Sequence, residues 1–136
     1  MTAMGTGQAE REYGDFELKR FLGMSIEDDG PGRARARLEL AERHHNPNGV
    51  VHGAVLFALV DTAMGKATMS VLPEGSYCAS VDVQLRFVRP ASEGEIVAEV
   101  EVLKAGRSVV HLEGRVVSAE DKLVATASGT FTVFGV

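Results

Sequence analysis

Residues 46–69 read NPNGVVHGAVLFALVDTAMGKATM, and how this stretch is read decides the fold. From Gly53 to about Val71, the residues Val55, Leu56, Phe57, Ala58, Leu59, Val60, Ala63, Met64, Ala67, Met69 and Val71 fall nearly all round a helical wheel. A helix that is apolar on every side is a buried helix, so other elements must wrap it. The flanking sequence is strand. Upstream, Ala34, Ala36, Leu38 and Leu40 alternate with Arg33, Arg35, Arg37 and Glu39, a half-buried strand preceded by the turn residues DDGPG.

Four more strands follow the helix. Val81, Val83, Leu85 and Phe87 share one face up to Pro90, and Ile96, Ala98, Val100 and Val102 share the next. After KAGR come Val110, Leu112, Gly114 and Val116, and after SAEDK come Leu123, Ala125, Ala127, Phe131 and Val133. Turns this short join antiparallel strands, because a parallel crossover needs about a dozen residues or more. The expected fold class is therefore α+β: one long central helix wrapped by a curved antiparallel sheet of five or six strands. One domain, residues 9–136, is expected after a small, polar, disordered segment at residues 1–8. Between Ala9 and Phe21, Tyr13, Phe16, Leu18 and Phe21 suggest an amphipathic helix interrupted by Gly14.

Composition narrows the function. The chain has 136 residues and a net charge of −5, which disfavours nucleic acid as a partner. Asp61 and Lys66 interrupt the only long apolar run, so no membrane span is expected. The N-terminus lacks the apolar core of a signal peptide, and the expected location is the cytoplasm. The single cysteine, Cys78, rules out an internal disulfide and reads as core filler. His44, His45 and His52 have no carboxylate or cysteine at a familiar ligand spacing, so no metal is expected.

Two features carry chemistry. The helix start near His52 has no Ser, Thr or Asp to cap it, which would leave amide donors and the positive end of the helix dipole for a ligand oxygen. Asp61 is a carboxylate in apolar surroundings, where burial raises the pKa and lost hydration increases basicity. The alternative for Asp61 is a structural hydrogen bond or a wet crevice. Asp61 lies eight residues beyond Gly53, about 12 Å along one helix. If both act on one carbonyl, the second must come from another subunit whose helix runs antiparallel, and a symmetric dimer then holds two composite sites.

The order Asn46, Gly49, His52-Gly53, then Asp61 within LVDTAMGKA, followed by SVDVQLRFVRPA, closely resembles the hot-dog-fold acyl-CoA thioesterases of the phenylacetate-degradation type. That resemblance implies thioester hydrolysis with Asp61 as nucleophile or general base and the Gly53 amide as donor to the carbonyl. It also implies that Asn46 positions water or thioester and that His52 supports the loop. Ser80 would help hold water or substrate near the acid, and Lys104, Arg107 and Ser108 would meet the coenzyme A phosphates. Phe57, together with Met64 and the partner chain, would set the depth of the acyl pocket. The implied partners are an acyl-CoA substrate and further copies of the chain, as a dimer or a pair of dimers. No cofactor is implied beyond the coenzyme A that the substrate carries. Ala54 departs from the family, which usually has a second glycine there. Enoyl-CoA hydration on the same fold and non-catalytic acyl-CoA binding are the competing expectations.

Overall fold

The computed structural model describes residues 14–135. In chain order the elements are helix α1 (Glu17–Leu22), strands β1 (Ser25–Asp28) and β2 (Arg33–Leu40), a 3-10 turn (Glu42–His44), helix α2 (Gly53–Met69), and strands β3 (Tyr77–Phe87), β4 (Gly94–Ala105), β5 (Val109–Ser118) and β6 (Leu123–Phe134). The six strands form one antiparallel sheet in the order β1-β2-β4-β5-β6-β3, curved around α2. The α+β architecture expected from the alternation is therefore the one found, and β1 supplies the strand that the pattern had not located.

The helix seats on the sheet because the strands turn small residues toward it. Ala34 and Ala36 of β2, Ala98 of β4 and Ala125 of β6 are buried beneath Leu59, Val60, Ala63, Met64 and Ala67. Ile96, Leu112, Val110, Val116 and Phe131 fill the remaining space. Each large side chain sealed in this way contributes roughly 1.5–3 kcal/mol. Gly129 of β6 makes room for Met64: a Cβ there would stand 2.5 Å from the Met64 sulfur. Cys78 is buried, as core filler should be.

Helix α1 is shorter than the run Ala9–Phe21 suggests. Gly23, at φ 72°, closes it by donating its amide to the Lys19 and Arg20 carbonyls. Leu22 anchors it in the core, while Leu18 and Phe21 stay exposed. The remainder of that expected helix, residues 9–13, and the expected disordered segment 1–8 lie outside the described residues.

Strand β3 lies at the sheet edge, paired on one side by β6 alone. Its register slips between Ser80 and Asp82, leaving Val81 as the extra residue of a β-bulge. The alternation had placed Val81 with Val83, Leu85 and Phe87. Instead Val81 is exposed, and Ser80 shares the helix-facing side with Val83, opposite the buried Phe131.

Candidate active site

The approach to α2 is a tight hairpin-like loop. The Asn46 amide donates to the Val50 carbonyl at 2.7 Å, and its Oδ1 accepts from the amides of Asn48 at 2.9 Å and Val50 at 3.4 Å. Asn46 thus holds its own loop through Oδ1 and keeps the Nδ2 group for other use. The His52 amide donates to the His44 carbonyl at 2.8 Å, and its Nδ1 accepts from the Ala54 amide at 2.9 Å. The helix is therefore capped after all, by a histidine rather than by the hydroxyl or carboxylate residues sought in the sequence. The cap takes the second amide of the helix and leaves the first: among the described residues, nothing accepts from the Gly53 N–H. With the dipole of a 17-residue helix behind it, that donor suits an oxygen gaining negative charge.

Asp61 occupies the middle of α2, half-buried, with Oδ1 sealed from solvent and lacking any hydrogen-bond partner among the described residues. Burial raises its carboxyl above the ordinary carboxylate value, and a hydrogen bond from the Ser80 side chain lowers it part of the way back. The β-bulge makes that bond possible by turning residue 80 toward the helix. Asp61 and Ser80 are thus brought together, as are Asn46, His52 and Gly53.

The two groups do not meet within one chain. Gly53, Phe57 and Asp61 follow one another at intervals of four on one helix, so they share a stripe, with its ends about 12 Å apart. This stripe is the exception to the buried helix expected from composition: Phe57 is 41% exposed, and Asp61 and Thr62 are only partly covered. Lys104, Arg107 and Ser108 are exposed around the β4–β5 turn. Through the ladder, Ser80 pairs Phe131, Phe131 pairs Val110, and Val110 pairs Ala105, which sets this basic turn level with Ser80. Two strand spacings of about 4.8 Å each separate β3 from β5.

The profile of the thioesterase superfamily matches residues 48–125, more than half of the chain and the whole segment from the Gly53 loop to β6. The chain belongs to the thioesterase superfamily. This thioesterase is 37% identical over 131 residues to the Halobacterium salinarum protein named "Putative esterase", covering 88% of this chain and 86% of that one. It is 32% identical over 96 residues to human acyl-coenzyme A thioesterase 13, covering 68% and 66% of the two chains. Among solved structures, conserved protein PA5202 of Pseudomonas aeruginosa superposes with a TM-score of 0.85 at 32% identity, covering 91% of this chain and 98% of that one. The PaaI protein of the E. coli phenylacetic acid degradation operon superposes with a TM-score of 0.84 at 23% identity, covering 99% and 97%. The resemblance drawn from the sequence motif thus holds: the fold is the hot-dog fold and the thioesterase is a thioester hydrolase. No helix among its described residues is long and apolar enough to cross a membrane.

The placement of two residues of this region was not legible in the sequence. Phe87 reads as an ordinary strand residue, yet a Cβ on Gly53 would stand 2.9 Å from its Cζ, so its ring lies directly on the helix start. His44, considered in the sequence only as a metal ligand, is wholly buried and bonded through both ring nitrogens. Among the described residues, no group of three or more His, Cys, Asp or Glu could hold a metal ion.

Proposed function

We propose that this thioesterase hydrolyses an aryl- or fatty-acyl-CoA to the free acid and coenzyme A, in sites shared between two antiparallel copies of α2. The observation that carries the reading is the spacing on the open stripe. Phe57 lies midway between Gly53 and Asp61. A two-fold axis beside Phe57 therefore sets Gly53 of each copy opposite Asp61 of the other. The unpaired edge of β3, 11 residues long and free of proline, offers a second copy its backbone groups alongside. Phe57 then sits at the axis, where it would also wall the acyl pocket.

In such a site the Gly53 amide donates to the thioester carbonyl oxygen, and its bond strengthens as charge develops there. Asp61 of the other copy attacks the carbonyl carbon itself or takes a proton from a water that does so. The carbon–sulfur bond breaks and coenzyme A leaves as the thiolate, which takes up a proton from the water consumed; where Asp61 itself attacks, that water then opens the acyl-aspartate anhydride, releasing the acid and restoring the carboxylate. Ser80 orients the carboxylate, Asn46 Nδ2 holds the water or thioester, and His52 keeps the loop in place. Lys104, Arg107 and Ser108 face the coenzyme A phosphates. The reaction needs no cofactor or metal. With Nδ1 accepting from the Ala54 amide, the neutral His52 ring carries its proton on Nε2 and has no base to offer, so the enoyl-CoA hydration reading, which needs an Asp and a His acting at the substrate, gains no support.

Subunit mixing tests the shared site. Asp61→Asn removes the attacking group, and Gly53→Pro removes the N–H at a first-turn position, where proline suits the backbone and its Cβ displaces the exposed Phe87 ring. Each variant alone should release almost no thiol from a panel of acyl-CoAs. Refolding them together should restore about a quarter of the parent rate, since half the dimers are mixed and each has one intact site. No recovery in confirmed mixed dimers would reject the shared site. A single turnover in heavy-oxygen water then probes the role of Asp61: label in its carboxylate reports a covalent acyl-aspartate opened at the aspartyl carbon.

A further inference from the structure

The ring of His44 is 0% exposed and fully engaged. Nδ1 accepts from the Ala41 amide at 2.9 Å, and Nε2 lies 2.8 Å from the Leu22 carbonyl. The carbonyl can only accept and the amide can only donate, so Nε2 carries the proton and Nδ1 does not. One neutral tautomer satisfies both partners. The same residue's carbonyl accepts the His52 amide at 2.8 Å, and His52 is the cap that precedes Gly53. A continuous path of hydrogen bonds and chain thus runs from the last residue of α1, through the His44 ring and carbonyl, to the peptide that aims the Gly53 N–H.

The other fastenings of the loop sit elsewhere. The Val51 amide donates to the Ala91 carbonyl at 2.7 Å, and His45 Nε2 lies 2.7 Å from the Ser92 carbonyl, both on the segment after β3. These hold one side of the loop. On the other side, Arg43 Nε reaches the Phe21 carbonyl at 3.2 Å, but at the exposed surface and without a bond onward to residue 52. Among the described residues, His44 alone joins α1 to the His52 amide.

We infer that His44 is a positioning residue: by clamping the loop between α1 and His52 it sets the direction of the Gly53 amide. The inference rests on the hydrolase reading, in which that amide receives the developing oxyanion. A displacement of about 1 Å at a donor of this kind can cost on the order of 100-fold in rate. Charge gathers on the oxygen only in the transition state, so the loss falls on kcat and spares KM.

The test compares His44→Gln, whose amide can still reach the Leu22 carbonyl, with His44→Leu, which keeps neither ring bond. Thiol release should fall in the order parent, Gln, Leu, with kcat down about tenfold or more in the Leu variant and KM within about threefold. Val100→Ala, a buried core change six residues along β4 from the Gly94–Leu40 pair that adjoins the loop, serves as the stability control: it should lower the melting temperature comparably and keep kcat within about twofold. Wild-type kcat in both folded His44 variants overturns the inference, and if the Leu variant fails to fold the Gln variant decides alone. Hydrogen exchange supplies a readout that needs no activity. The His52 amide should exchange at least about tenfold faster in His44→Gln than in the parent while the β5 amides stay protected, and unchanged protection at His52 overturns the clamp. A parent protein that releases no thiol from any acyl-CoA would sink the hydrolase reading and leave hydrogen exchange to decide on the clamp.

Discussion

The ring of Phe87 rests on Gly53, so closely that a Cβ at residue 53 would stand 2.9 Å from its Cζ and 3.4 Å from its Cε1. Phe87 is itself 61% exposed in the single chain, so the ring has room to swing away. Gly53→Ala should therefore fold, at a cost of about 1 kcal/mol, while moving either the ring or the helix start. Thiol release should drop about tenfold or more. Adding Phe87→Ala should recover stability and part of the rate, a non-additive pair by double-mutant cycle. Strict additivity would show that the contact carries no coupling.

At Asp61, activity and stability should move in opposite directions. Its folded carboxyl titrates above its unfolded value, so between the two values the folded chain holds more protons and stability falls as pH rises. The cost is absent below the unfolded value, about pH 4, and complete above the folded one. Asp61→Asn should thus melt a few degrees above the parent at neutral pH, and the difference should vanish in acid. Its kcat should be at least about 100-fold lower. Parent activity should decline on the acid side with a midpoint above that of an ordinary aspartate. A variant melting below the parent at pH 7 would contradict the burial account.

Phe57 marks the proposed axis. Phe57→Arg sets two like charges against each other there and should yield monomers by sedimentation, with less than about 1% of the parent rate. A dimer that persists and turns over normally would move the axis away from Phe57.

Gly129 tests the seat of α2. Gly129→Ala presses on the Met64 sulfur and should cost about 1–3 kcal/mol, read as a lower melting temperature. Combined with Met64→Ala, which opens space at the same point, it should cost less than the sum of the two changes.

Most of the fold was legible in the residues because most of it obeys one period. Ala34 to Leu40 and Ile96 to Val102 alternate strictly, and α2 is too apolar to lie anywhere but against a sheet. What escaped was whatever breaks the period or depends on distant groups. Val81 looks like a core residue until the bulge ejects it. The cap was missed because histidine is not among the usual capping residues, and only the folded loop turns its Nδ1 back to Ala54. The open face of α2 was hidden for a different reason: Phe57 is apolar like its buried neighbours, and exposed apolar surface looks in sequence like core. The spacing of Gly53 and Asp61 was readable throughout, since helix geometry turns a residue count into a distance.

Val81 contributes by standing outside the count of paired positions rather than by what it touches. Side chains along a strand take opposite sides in turn, so the side on which residue 80 falls depends on whether an odd or an even number of paired positions separates it from Val83. In an unbroken ladder the present spelling would point Ser80 to the outer surface and set Val81 opposite Phe131 in its place. One uncounted residue changes the parity. Substituting Val81 by another side chain should accordingly leave the serine facing its acid, and deleting it should do so as well, by shortening the strand to a regular ladder with Ser80 still opposite Phe131. Inserting one paired residue between 80 and 83 is the change that would turn the serine away.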